Sequence, residues 1–254
     1  MFLRKELDLA RSMAMHAGEV AVGYSRQAFV PETKPDLSPV TAADKECERL
    51  IAQRIVDTFP DDGILGEEGA SRPSKNGRIW IIDPIDGTRD FVRGLPLWAI
   101  LIGLEIDGEI AMGVAHMAAQ NAMYSAVRGE GAWLNEKPIH SSKIDKPENA
   151  VVCVTALNSC EVMPYGPKLL GWLRRFWAVR SMGGCYDALL VASGHAEVWV
   201  EPHAQPWDLA ALKVILEEAG VRFRNLDGGC SHRGGSCVAY VPSLEPAVQE
   251  LLAR

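Results

Sequence analysis

Three short segments place acidic residues where carboxylates do chemistry: Gly66-Glu67-Glu68, Asp83-Pro84-Ile85-Asp86-Gly87-Thr88 and Trp207-Asp208. Residues 78–82 read as an apolar strand that stops at Asp83; Pro84 then forces a turn, and Asp86 follows. Such a turn aims two carboxylates and the Ile85 carbonyl at one point. All are hard oxygen donors, which suit Mg²⁺ or Mn²⁺ rather than zinc. Asp86-Gly87-Thr88 also reads as a helix start, with Asp or Thr as the cap and Gly87 letting a ligand approach the backbone. Helix-start amides bind phosphate, and cation ligands beside them describe a phosphoryl-transfer site. The alternative is plainer: D-P-x-D-G is a turn motif in most proteins, and an Asp at a helix start usually just caps it. Spacing alone leaves both readings open.

The elements that must position these groups follow from periodicity. Leu3, Leu7, Ala10, Met13, Ala14, Ala17, Val20 and Ala21 recur at helical spacing and predict a helix over 3–29. Three prolines between Pro31 and Pro39 make that stretch a loop. Thr41 or Asp44 opens a second helix, ended by Pro60 and Gly63. A short strand at Ile64-Leu65 runs into Gly66-Glu67. Strands at 97–107 and 110–117 flank the turn Asp107-Gly108, and 121–128 with 131–134 continue a meander. Beyond residue 150, strands at 151–155 and 196–200 alternate with helices at 167–176, 185–193 and 207–219. The expectation is an α/β protein: an α+β half over 1–145 carrying most metal ligands, and an α/β half over 146–254, packed as one unit.

Composition narrows the partners. The chain has 254 residues, 48% hydrophobic and 23% charged, so it can bury a full core and is not disordered. A net charge of -7 without a Lys/Arg cluster argues against nucleic acid. The six cysteines form no C-x-x-C pair and read as reduced thiols of a cytoplasmic protein. No leader or membrane-spanning run is expected, so no membrane partner is either.

Residues 80–88 resemble the inositol monophosphatase family signature W-x-[IV]-D-P-[IL]-D-G-T. Gly66-Glu67-Glu68 is similar to its G-E-E element, Pro39-Val40-Thr41-Ala42-Ala43-Asp44 to its V-T-x-x-D element, and Trp207-Asp208-Leu209-Ala210 to its W-D-x-A segment, all in family order. The resemblance implies a layered αβαβα sugar-phosphatase sandwich, a homodimer, and Mg²⁺-dependent phosphomonoester hydrolysis. By it, Glu67, Asp83 and the Ile85 carbonyl hold one metal, and Asp83, Asp86 and Asp208 a second. A third, weaker ion sits near Glu67. Asp44 and Thr88 orient and deprotonate the attacking water, and the amides of Gly87 and Thr88 hold the phosphate.

The resemblance also implies that Gly183, Gly184 and Cys185 line the substrate, where the family has G-T-A, and that Glu201 contacts it. A solvated loop acid is the other reading of Glu201. Asp187 and His203 are lesser candidates. Thr33 to Thr41, Arg89-Asp90-Phe91 and Gly234-Gly235-Ser236 look more like histidinol-phosphate phosphatases of the family than inositol phosphatases. The expected reaction is therefore hydrolysis of histidinol phosphate in histidine biosynthesis. Inositol 1-phosphate is the alternative substrate, and nucleotide or sugar phosphates are less favoured. A catalytically silent regulatory homologue would be expected to lack Asp44, Thr88 or a metal carboxylate, and all are present; an oligomeric scaffold would leave the site residues unexplained.

Overall fold

A computed structural model describes residues 3–26, 32–33 and 39–253. The chain runs α1 (Arg4–Ser25), β1 (Glu32–Thr33), β2 (Pro39–Val40), α2 (Ala42–Thr58), β3 (Gly63–Gly66), β4 (Ser71–Arg72) and β5 (Arg78–Asp86). It continues with α3 (Thr88–Val92), β6 (Ala99–Ile106), β7 (Glu109–Met117), β8 (Ala122–Val127), β9 (Ala132–Leu134), β10 (Lys137–Ile139) and β11 (Val151–Val154). Then come α4 (Gly166–Leu173), β12 (Ala178–Arg180), α5 (Gly184–Ala192), β13 (Val198–Glu201), α6 (Pro206–Glu218), β14 (Arg222–Arg224), β15 (Cys237–Tyr240) and α7 (Glu245–Leu252).

Two sheets organise these elements: an eight-stranded one in the order β10-β9-β8-β7-β6-β5-β3-β4 and a five-stranded one in the order β12-β11-β13-β15-β14. Strand alternation explains why helices cover both faces. On the large sheet, Trp80, Ile82, Ile100 and Ile102 turn towards Leu7, Ala14, Ile51 and Ile55 of α1 and α2. Ile81 and Leu101 turn the other way, against Ala188 and Leu189 of α5 and Ala210 and Ala211 of α6. Trp199 of β13 meets that same middle layer. Its neighbours Val198 and Val200 face Leu169, Trp172, Val248 and Leu251 of α4 and α7. The result is the five-layer αβαβα sandwich expected from the resemblance.

Local signals mark most element ends. Thr41 caps α2, with Asp44 at the third helical position completing a capping box. Asp107 and Gly108, both at positive φ, turn β6 into β7. Helix α1 is shorter than the spacing suggests, ending at Ser25; residues 27–31, and the segment 34–38 of the proline-rich loop, lie outside the described residues.

Strand β5 departs from expectation. It does not stop at Asp83 but continues through Pro84 to Asp86, with a register shift against β6: Asp83 pairs with Leu101 and Asp86 with Ala99. Proline has no N–H to give the ladder, so the strand bulges there and resumes pairing beyond it. On its other side β3 pairs only as far as Ile82, which leaves the bulged end of β5 without a strand on that side.

Candidate active site

The bulge sets Asp83 and Asp86 beside the first turn of α6. There Gln205 is extended, Pro206 begins the helix, and Asp208 turns back so that its carboxylate accepts the Gln205 N–H at 2.7 Å. One carboxylate oxygen each from Asp83, Asp86 and Asp208 lies within 4.8 Å of the others. The Ile85 N–H donates to Asp83 at 3.0 Å, and the Cys185 N–H to Asp86 at 2.8 Å.

This cluster is electrostatically overloaded. Burial raises Asp83 well above the ordinary carboxylate range, and the charges of Glu67, Asp86 and Asp208 push it further. Burial likewise raises Asp208, to about 7, with Asp86 and Glu67 adding to it. Asp86 is raised by burial despite its hydrogen bonds from Cys185. One buried and two half-buried carboxylates at this spacing stay fully charged only beside a cation. The donors are all oxygens, so the residues present fit a hard divalent ion.

Glu67 stands at the margin of this group. Its N–H donates to the Ile82 carbonyl at 3.1 Å, tying the end of β3 to β5. Its carboxyl is hydrogen-bonded to Asp83, and its charge acts on Asp44, Asp86 and Asp208. It is not part of the tight three-carboxylate cluster.

What positions Glu67 is Glu48, which the sequence did not single out. This buried carboxylate of α2 accepts the Glu68 and Ala70 N–H groups, both at 2.7 Å. A side chain at Gly66 would strike it, because a Cβ there would lie 2.3 Å from Glu48 Oε2. Its position on a charged helix reads as surface; only the packing of α2 against the sheet buries it.

Asp44 and Thr88 are brought together. Asp44 is buried, takes the Thr41 N–H at 2.8 Å and hydroxyl at 2.5 Å, and lies 3.4 Å from the Thr88 hydroxyl. That hydroxyl also faces the Ile85 carbonyl at 3.1 Å, and its single proton serves one acceptor at a time. Burial raises the pKa of Asp44. Gly87, at φ 88°, is the residue before α3, and neither Asp86 nor Thr88 caps that helix with its side chain. The glycine is required: a Cβ there would lie 2.8 Å from the Leu97 carbonyl in a left-handed conformation.

Residues of α5 and β13 lie beside this cluster. Gly183 precedes α5 at φ 129°, and Cys185 is buried with its N–H on Asp86. A Cβ on Gly184 would lie 3.5 Å from both Asp86 oxygens and 3.8 Å from Glu201 Oε2, so glycine leaves the start of α5 open to both acids. Glu201, at the end of β13, is buried rather than a solvated loop acid. Burial pushes its pKa up to about 8, against hydrogen bonds from the Thr155 side chain and the His203 N–H. Asp187 is committed elsewhere: its carboxylate accepts the Met182 and Gly183 N–H groups and fastens the start of α5. His203 is exposed, and its backbone rather than its ring meets Glu201.

Comparison with known proteins finds relatives along the whole chain. The sequence model of the inositol monophosphatase family matches residues 3–254. A histidinol-phosphatase of Chlorobaculum parvum is 42% identical over 216 residues, covering 85% of this chain and 83% of that one. A histidinol-phosphatase of Mycobacterium tuberculosis is 37% identical over 240 residues, covering 92% of each. Among solved structures, an IMPase of Thermotoga maritima superposes with a TM-score of 0.88 at 28% identity, covering 98% of this chain and 96% of that one.

Proposed function

The chain belongs to the inositol monophosphatase family, and from that premise we propose that it hydrolyses histidinol phosphate to histidinol and phosphate. Phosphomonoester hydrolysis with a divalent cation is typical of the family, and the phosphatases among its relatives make the chain a phosphomonoesterase. The substrate assignment rests on the 42% and 37% identity to proteins named histidinol-phosphatase.

The proposed ion is Mg²⁺, with Mn²⁺ as a substitute. Asp83, Asp86 and Asp208 would hold one ion, and Glu67, Asp83 and the Ile85 carbonyl another; a third, weaker one would lie near Glu67. When bound, the cations supply Lewis acidity to the phosphate and to the attacking water. The chain's own residues do the rest. The Thr88 hydroxyl orients the water, and Asp44 takes its proton; the burial that raises the pKa of Asp44 makes it a stronger base at neutral pH. The Gly87 and Thr88 amides receive the phosphate oxygens. Gly183, Gly184 and Cys185 line the alcohol part, and Glu201 faces its ammonium group. No covalent phosphoenzyme is involved.

A cytoplasmic setting is supported by the free thiols of Cys47, Cys153, Cys185, Cys230 and Cys237; the side chain of Cys160 lies outside the described residues. Among the described residues no helix is long and apolar enough to cross a membrane. Homodimer formation is supported by exposed Trp177 and Val179 on or beside the edge strand β12.

The test is kcat/KM for histidinol phosphate and for inositol 1-phosphate in the same magnesium buffer. A ratio well above one is expected. A ratio below one replaces the assignment with inositol phosphate, the reading favoured by the family and by the Thermotoga maritima structure. Loss of activity in EDTA, restored by Mg²⁺, excludes a silent homologue.

A further inference from the structure

Several carboxylates crowd the first turn of α5, and all but one are engaged. Asp86 receives the Cys185 N–H, Asp187 receives those of Met182 and Gly183, and Glu201 is hydrogen-bonded to Thr155 and His203. Asp90, on the first turn of α3, differs. Its half-buried carboxylate has no hydrogen bond or ion pair among the described residues, and burial alone raises its pKa. Its Oδ2 lies 3.2 Å from where a Cβ on Gly183 would sit. It is also close enough for its charge to act on Asp86, Cys185 and Asp187. The glycines at 183 and 184 therefore leave a rim open to Asp90 on one side and to Glu201 on the other.

A partly desolvated, unpaired carboxylate is unfavourable by itself. Next to a site that must admit a phosphate dianion it is also repulsive, and it has no part in holding the phosphate. Its cost is offset only when the substrate brings a positive charge to the rim. We propose that Asp90 is a specificity-determining residue that, across the glycine rim from Glu201, pairs with the same ammonium group on the alcohol part of the substrate, selecting cationic phosphomonoesters over neutral ones. The proposal rests on the phosphomonoesterase reading of the site and narrows its substrate class. Histidinol phosphate, with an amine two carbons from the ester oxygen, belongs to that class.

The experiment uses an isosteric pair, 2-aminoethyl phosphate and 2-hydroxyethyl phosphate, with the full chain in saturating Mg²⁺. The wild type is expected to prefer the amine, and added KCl to erode that preference. Asp90→Asn and Asp90→Ser should each lower the amine-to-hydroxyl ratio of kcat/KM about tenfold, mainly through KM for the amine. Asp90→Glu should restore part of it. Because the ratio is internal to each variant, general damage to folding or metal binding cancels. A wild type without amine preference, or a ratio unchanged in both neutral variants, overturns the proposal. A wild type that prefers inositol 1-phosphate to histidinol phosphate removes the substrate assignment of the preceding section, and leaves the isosteric ratio to judge Asp90 separately.

Discussion

Replacing Asp83 by Asn separates what the carboxylate cluster costs the fold from what it does for the reaction. Asp83 is buried, and its oxygen lies within 4.8 Å of those of Asp86 and Asp208. At an effective dielectric of about 20, two unit charges at that separation repel by about 3.5 kcal/mol. The metal-free protein relieves part of this by keeping protons, as the raised pKa values of Asp83 and Asp208 record. The sign follows by linkage. A carboxyl whose folded pKa is raised binds protons more tightly when folded, so its stability contribution is fully present below the unfolded value and is lost as pH rises through the folded value. For Asp208 that window runs from 3.8 to about 7. Metal-free wild type should therefore lose stability as pH rises through it.

Asn is nearly isosteric, and its side-chain oxygen still accepts the Ile85 N–H. In EDTA at pH 8, Asp83→Asn should thus be more stable than wild type by about 1–3 kcal/mol, which at this chain length raises Tm by roughly 2–8 °C. Saturating Mg²⁺ reverses the order: at a thousand times Kd it stabilises wild type by about 4.1 kcal/mol, and the variant gains little. Turnover should fall by about a thousandfold or more, since a catalytic cation contributes several kcal/mol to the transition state. Calorimetry with and without Mg²⁺, beside activity, reads all three effects. Metal-free Asp83→Asn less stable than wild type at pH 8, an equal Mg²⁺-induced rise in both, or near-normal turnover would each refute the reasoning.

Thr88→Ala should lower kcat by about a hundredfold, the usual size of a proton-transfer contribution, while the Mg²⁺-induced rise in Tm is kept; Thr88→Ser should recover most of the rate. Glu48→Gln turns an amide N–H towards the backbone N–H of Glu68 or Ala70, and should destabilise the protein by about 1–3 kcal/mol and weaken Mg²⁺ affinity some 10–100-fold by loosening Glu67, as urea melts and metal titration would measure. Millimolar Li⁺ at fixed Mg²⁺ should inhibit by competing at Asp83, Asp86 and Asp208; a flat titration removes that expectation and leaves the hydrolase assignment standing.

The sequence by itself determined what depends on neighbours along the chain. A continuous apolar run at residues 79–82 marks a strand buried on both faces, Thr41 with Asp44 starts a helix, and Pro84 interrupts the chain between Asp83 and Asp86, although as a bulge within β5 rather than the turn the sequence suggests. Matches to the family signature added the order of the acids and the layered fold. Two short strands were not legible: β12 and β14 have three residues each, show no period, and exist because β11 and β15 offer them partners.

Tertiary structure alone decided which acids meet. Gly103 of β6 and Gly113 of β7 are paired across the large sheet, and a Cβ on either would lie 2.9 Å from Ala210 Cβ or 2.5 Å from the Ala211 carbonyl. This glycine trough lets α6 settle against the sheet, which carries Asp208 to the end of β5. The same packing buried Glu48, assigned Asp187 to the start of α5, and left the Asp90 carboxylate at the rim with no partner among the described residues. None of this is periodic or local. It depends on how closely two surfaces approach, and that distance is set by side chains far apart in the chain.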